Sequence, residues 1–434
     1  MRSSIIVGVV GVLCLTASCR QALNGEREVR AFIRENMPAT TCFYLKDTLE
    51  HLALPKPFSV PTIKGKFQDL YYWDTYFTNL GLLSLGDIHQ VRNNVDDILY
   101  LIERFGYMPN SSKMAQTNRS QPPYASMMIR DLYERTKDRA WLRGAYDILL
   151  KEYDFWMRER MTDTGLNRYY NMATEAYLLD FYDYIRRRIP SLRADADREE
   201  RIRTASQYLS EAESGWDFTP RFHTHCEDYN PIDLNANLYI YEKNFAWFCS
   251  ELGIEGTADW EETAALRLER INKYCYDGQS GEYYDYNYRT HTRSDVYSAA
   301  VFNILWAGIP NEEQAQNLVR QLNRLEMEYG LVACEPGERT DVYQWDSPNS
   351  WASFHVLAIA GLEAYGYRAD ARRIAEKYAG TIIRIFRQSG NLWEKYNGRK
   401  GNREVNSEYP LPPFMGWTAG GFLYATDYLR HAGL

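Results

Sequence analysis

Between residues 311 and 387 three helical patterns follow one another, and their order restricts the fold more than any other feature of the chain. The stretch NEEQAQNLVRQLNRLEMEY, 311–329, places Ala315, Leu318, Val319, Leu322 and Leu325 on one stripe, as a helix with a single buried face does. The segment 370–387 repeats this with Ile374, Tyr378, Ile382 and Ile385. Between them, 351–365 is apolar almost all round, in the run FHVLAIAGLEAY. A helix without a polar face needs cover on every side. An outer, an inner and again an outer helix imply two concentric layers. Further helical patterns at 88–105, 145–160, 234–252, 261–274, 296–307 and 417–431 continue the series, long strand patterns are scarce, and no fixed repeat period marks a solenoid. An all-α fold of the α/α-barrel kind is expected. One short helical pattern, 27–36, precedes a proline-punctuated stretch. Residues 20–60 therefore read as an N-terminal extension packing on a barrel formed by 61–434.

The links between these helices carry the chemistry. Those at 106–126, 330–350 and 390–414 are long and rich in Gly, Pro, Asn, Trp and Tyr, and loops of that length are uncommon unless they have a function. The chain holds 35 Tyr, 17 Phe and 11 Trp, 15% of its residues, and such side chains suit a ligand with both polar and apolar faces. Trp-Asp pairs occur at 73–74, 216–217 and 345–346, with Trp-Glu at 393–394. An aromatic followed by a carboxylate is what a pyranose site needs: the ring stacks on C–H faces while the carboxylate takes hydroxyls or moves a proton. For Asp217, in ESGWDFTPRF, the competing role is a helix N-cap. A net charge of −8 without any long basic run excludes nucleic acid as a partner.

The N-terminus reads MRSSIIVGVVGVLCLTASC. Arg2 followed by an apolar run over 5–17, too short to span a bilayer, is the pattern of a secretory signal peptide. Leu15-Thr16-Ala17-Ser18-Cys19 resembles a bacterial lipobox, so 1–19 is expected to be removed or lipidated at Cys19. That places the protein in the periplasm or cell envelope on a lipid anchor, or secreted without one. The other cysteines, Cys42, Cys226, Cys249, Cys275 and Cys334, are scattered and odd in number, and are read as mostly free buried thiols. His223, His225 and Cys226 have no second cluster to complete a zinc site; no metal and no cofactor is expected.

Six blocks in one order resemble a known family. GKFQDLYYWDTYF (65–77) is similar to the first signature of the trehalases and QWDSPNSWA (344–352) to the second. PN…NRSQPP and ESGWDF between them, and EKYN and EYPL…FMGWTAGG after them, match further trehalase blocks. The resemblance covers roughly 67–429. It implies an (α/α)6 barrel and an inverting α,α-trehalase that acts on a small disaccharide, and the reading expects a monomer. It carries the general acid onto Asp217 and the general base onto Glu394, and substrate contacts onto Lys66, Trp73, Asp74, Asn110, Arg119, Ser120, Gln121, Glu175 and Gly215. Asp346 is read as architectural. Inverting hydrolysis needs one protonated and one ionised carboxyl, about 6.5–9.5 Å apart, with environments that separate their pKa values. Trp216 and Phe218 flank Asp217, while Lys395 and Arg399 follow Glu394, neighbours that agree with the roles the resemblance implies.

Three departures bear on the substrate. Lys66 stands where the family has an Arg, and lacks its planar bidentate reach. Ala173-Thr174-Glu175 replaces an Arg-Pro-Glu block. GRKGNREVN (398–406) replaces a glycine-rich lid. The alternatives to a trehalase are an inverting α-glycosidase acting on another α-linked disaccharide or a modified trehalose, and a sugar-binding lipoprotein without catalysis.

Overall fold

The computed structural model describes residues 25–339 and 341–432; the leader segment and Cys19 lie outside the described residues. In chain order the helices are α1 (Glu26–Asn36), α2 (Tyr72–Leu85), α3 (Ile88–Phe105), α4 (Ala125–Thr136), α5 (Arg139–Glu159), α6 (Glu175–Arg186) and α7 (Arg198–Ser214). They continue with α8 (Ile232–Leu252), α9 (Trp260–Tyr274), α10 (Val301–Trp306), α11 (Glu312–Arg320), α12 (Ala352–Ala364), α13 (Arg368–Ser389) and α14 (Gly416–His431). Strands among the described residues are two residues long and form four small sheets of two or three strands.

Six of these helices, α2, α4, α8, α10, α12 and α14, form a closed inner ring in which each packs on the next and α14 returns to α2. Outside it, α3 and α5 bridge successive inner helices, α9 lies on α8, α13 spans α12 and α14, and α1 packs against α13 and α14. The architecture is the (α/α)6 barrel. Sequence explains the layering. α12 buries nearly every side chain from Ala352 to Leu362, whereas α13 buries Ile374, Tyr378, Ile382 and Ile385 and turns its arginines outward. Ring closure relies on glycine: a Cβ on Gly420 of α14 would sit 2.0 Å from the Phe77 carbonyl oxygen of α2, and one on Gly81 would sit 2.8 Å from the Gly420 Cα. The helices α6 and α7 stand apart as a hairpin with its own apolar core, built from Leu178, Tyr182, Ile185, Tyr208 and Leu209.

Some sequence expectations are corrected here. The expected helix 311–329 stops at Arg320 and continues only as a 3₁₀ turn, Leu322–Arg324. Beyond it the chain folds back, with the Val332 amide donating to the Leu325 carbonyl at 2.9 Å. The expected helix 296–307 begins at Val301, because Ser298 and Ala299 pair with Cys334 and Ala333. The block 65–77, for which no helical pattern was read, contains the start of α2, whose all-round burial hides any polar face. The described cysteines are free thiols; all except Cys42 are buried.

Candidate active site

The aromatic and acidic loops converge because each leads into an inner helix: 66–73 into α2, 110–121 into α4, 215–218 ahead of α8, 344–345 ahead of α12, and 394–417 into α14. Their side chains line one cavity of about 830 Å³ that contains Asp74, Asp217 and Glu394.

Asp217 follows the end of α7, where Gly215 terminates the helix at φ 74°. No helix starts at Asp217, so the capping alternative fails. Its loop is pinned from both sides. A Glu211 oxygen accepts the Phe218 amide at 3.1 Å, and the Phe218 carbonyl accepts the amides of Gln344 and Trp345 at 2.9 and 3.1 Å. These bonds hold Phe218 at φ 60°, a left-handed conformation that costs a non-glycine residue energy and clusters at functional sites. Burial pushes the Asp217 carboxyl up to about 6, with Arg119 pulling it down and Glu394 raising it again.

Glu394 sits in the opposite environment. The Tyr409 hydroxyl donates to one of its oxygens at 2.9 Å and the Lys395 ammonium to the other at 3.2 Å, while the Trp417 indole N–H holds its backbone carbonyl at 3.1 Å. Lys395 is itself buried and also reaches Gln344 Oε1 at 3.1 Å. Both oxygens of this carboxylate thus accept from protein donors, which fixes its orientation. Arg399, by contrast, is exposed.

A third carboxyl, Asp74 in the first turn of α2, is pushed up to about 8, by burial first and then by Glu394 and Asp217. Carboxyls that share one buried cavity disfavour one another's ionisation. An unfolded Asp74 ionises near its ordinary value, whereas the folded one stays neutral until about pH 8. Stability is therefore lost between those values as pH rises. Asp74→Asn, which cannot ionise, is expected to be more stable than the parent at pH 8 by more than about 1.4 kcal/mol, the worth of one pKa unit, with the gain vanishing at pH 4. Denaturant melts at the two pH values check this.

Of the residues carried over from the family, most meet at the cavity. Trp73 packs on Trp345 and edge-on to Trp417, with centroids 5.5 and 5.7 Å apart. Gly215 lets it approach, since a Cβ there would lie 2.8 Å from the Trp73 ring. Gln121 accepts the Trp73 amide at 3.2 Å, and Asn110 donates to the carbonyls of Ser120 and Ala212. Arg119 faces the cavity with a buried Nε that has no protein partner. Lys66 lies over the Tyr409 ring at 4.2 Å, so it supports the tyrosine that holds Glu394. Two expectations are corrected. Ser120 stands behind the wall, its hydroxyl on the Met108 carbonyl and its amide on Glu213, which is locked to Arg160. Glu175 does not reach the cavity: Thr174 caps α6, and Glu175, in the first turn, points to the surface and pairs with Arg198 at 2.5 Å. Asp346 ties its own loop by accepting from Arg339 and the Ser347 amide. The 398–406 segment is fastened through Asn349, whose amide group meets the Asn406 carbonyl at 2.6 Å.

Sequence reasoning missed Tyr409, which holds Glu394, and Gln344, which holds the neighbouring Lys395. Both lie within the quoted blocks, so block membership was the available signal. It also missed Tyr177, Phe181 and Tyr184 of α6, which line the cavity mouth.

A family model described as trehalase matches residues 26–430. The chain is similar to a periplasmic trehalase of Xanthomonas oryzae pv. oryzae, 32% identical over 400 residues that cover 85% of this chain and 67% of the relative. It is also similar to a cytosolic neutral trehalase of Kluyveromyces lactis, 30% identical over 86% of this chain and 57% of that protein. Among solved structures, the neutral trehalase of Saccharomyces cerevisiae superposes with a TM-score of 0.75 at 28% identity, covering 90% of this chain and 78% of that one. The mannosylglycerate hydrolase of Thermus thermophilus shares the fold, with a TM-score of 0.65 at 18% identity over 92% of this chain and all of that one.

Proposed function

We infer the division of labour in this site from one premise: the chain belongs to the trehalase family and is a glycoside hydrolase that splits α,α-trehalose into two glucose molecules. Asp217 is the general acid and Glu394 the general base. The observation that carries the assignment is the contrast between them across one cavity. Asp217 is raised to about 6 without a hydrogen-bonded cation, whereas Glu394 is held by Tyr409 and Lys395. Asp217 protonates the glycosidic oxygen as the bond breaks. Glu394 takes a proton from a water that attacks the anomeric carbon from the opposite face. Charge develops on the ring carbon and oxygen, where Asp74, Arg119, Trp73 and Gln121 orient the sugar and exclude bulk water. Trehalose attacked this way releases one glucose as the β anomer and the other as the α anomer. Proton NMR of the first turnovers reads the anomers directly; a purely α product at early times overturns the inverting mechanism.

Because the Xanthomonas relatives are named periplasmic, the periplasm is the compartment this reading assigns, with a lipid on Cys19 as the anchor. Labelled fatty acid should enter the intact chain and fail to enter Cys19→Ser; equal labelling of both removes the anchor. One chain closes its own ring and supplies every carboxyl of the site, which supports a monomer.

A further inference from the structure

One face of α6 carries an aromatic row at the edge of the hairpin's core, with Tyr177 and Phe181 packed against that core and Tyr184 beyond it. Leu178, Tyr182 and Ile185 fill the hairpin's own core, which accounts for the first stripe of this helix. A second stripe, Tyr177, Phe181 and Tyr184, follows at i, i+4 and i+7, where a surface helix ordinarily turns polar groups to water. These three rings line the mouth of the cavity that holds Asp217. They lie nearly parallel in a row: Tyr177 and Phe181 centroids are 6.2 Å apart with planes 24° from parallel, and Phe181 and Tyr184 are 5.8 Å apart at 20°. Tyr184 is 43% exposed. One turn further, Arg188 continues the stripe, with its guanidinium 4.8 Å above the ring of Phe218, the residue that follows Asp217. Its Nε is buried without a hydrogen-bond partner, and no carboxylate of the described residues lies within ion-pair distance of it. The row thus leads from solvent to the acid.

We propose that this face of α6 is an accessory carbohydrate subsite, which stacks a sugar ring attached to the trehalose unit beyond the two rings that react. Pyranose C–H faces pack on aromatic rings, and the polar rim they need is present: Glu50, His51, Lys113 and Gln116 line the same cavity, and Arg188 adds an unsatisfied N–H. This mixture selects a sugar over an acyl tail, which asks for apolar walls alone. The inference rests on the trehalase reading for the reaction that reports it, and on the α6 row for the subsite itself.

The test compares trehalose with a trisaccharide in which trehalose carries one further α-linked glucosyl unit. For the intact enzyme the trisaccharide should have the higher kcat/KM. Tyr184→Ser, at the exposed end of the row and outside the hairpin core, and Phe181→Leu, which removes the ring but keeps an apolar side chain against that core, should each lower kcat/KM for the trisaccharide roughly tenfold, about what one stacked ring contributes, through KM, and leave trehalose within about twofold. An equal loss on both substrates overturns the proposal, because the row would then serve the reacting disaccharide or the fold. Indifference of the trisaccharide to the substitutions overturns it as well. A trehalose O-acylated at a primary hydroxyl that gains where the trisaccharide does not would overturn the carbohydrate occupant. Should the enzyme cleave neither sugar, the family reading fails separately, and saturation-transfer NMR of the trisaccharide against parent and variants still decides the subsite.

Discussion

Asp217→Asn is expected to lower kcat on trehalose by about 10²–10⁴-fold, the usual contribution of a general acid, with KM changed far less. Asparagine keeps the shape and the neighbours, Trp216 and Phe218, and loses only the transferable proton. The loss should therefore depend on how much protonation the leaving group needs. α-Glucosyl fluoride, whose fluoride departs without a proton, should be hydrolysed by the variant within about tenfold of the parent rate. Glu394→Gln should fail on both substrates, since water activation is needed for each. The same logic fixes the pH profile. Asp217 works protonated and is raised to about 6 by burial, so kcat/KM on trehalose should fall about tenfold per unit above pH 6, and this limb should be absent with the fluoride. If Asp217→Asn retained more than about a tenth of the parent rate, the acid would have to be sought in Asp74, the more strongly raised carboxyl.

The second large effect is on folding. Gly420→Val should abolish soluble, cooperatively melting protein, and Gly420→Ala should lower stability by more than about 3 kcal/mol, the upper end of ordinary overpacking. The added Cβ would meet a backbone carbonyl oxygen at 2.0 Å, and backbone, unlike a flexible side chain, has no rotamer by which to yield. A domain holds only about 5–15 kcal/mol in reserve. Gly86→Ala, at a helix end where the extra carbon touches nothing within 4 Å, is the control for left-handed strain alone. Thermal melts of the three variants separate contact from conformation. A Gly420→Ala protein that melts like its parent would mean that α2 and α14 can part without consequence.

How far the fold could be read from the residues depended on polarity contrast. α12 and α13 were legible because one has no polar face and the other has a full one. α2 was not, since Tyr72, Trp73, Asp74 and Thr75 mix polar and apolar groups that are all buried. Polar side chains buried at the head of an inner helix belong to the site, and they erase the periodicity on which a helix is recognised. The hairpin α6–α7 was missed for a different reason. α6 carries two apolar stripes side by side, one inside its core and one between the core's edge and the cavity, so no single 3.6-residue face stands out. At the site, Asp217 and Glu394 were singled out by the blocks that contain them, and both line the cavity. Glu175 does not: the block that aligns with it has become the capped start of a helix, and position along the chain no longer reports position in space.

The crossing of α2 and α14 has a temporal meaning. A chain still short of Gly416 already contains Asp74, Asp217 and Glu394, yet it lacks the helix that closes the ring and the Trp417 indole that steadies the Glu394 backbone. Every carboxyl is made before the ring that gathers them into one cavity can close. During synthesis the catalyst does not grow stepwise with length; it switches on when the last 16-residue helix docks on the first of the ring. The C-terminal helix is in this sense the latch of the enzyme, and a chain interrupted before it is silent however much of the site it carries.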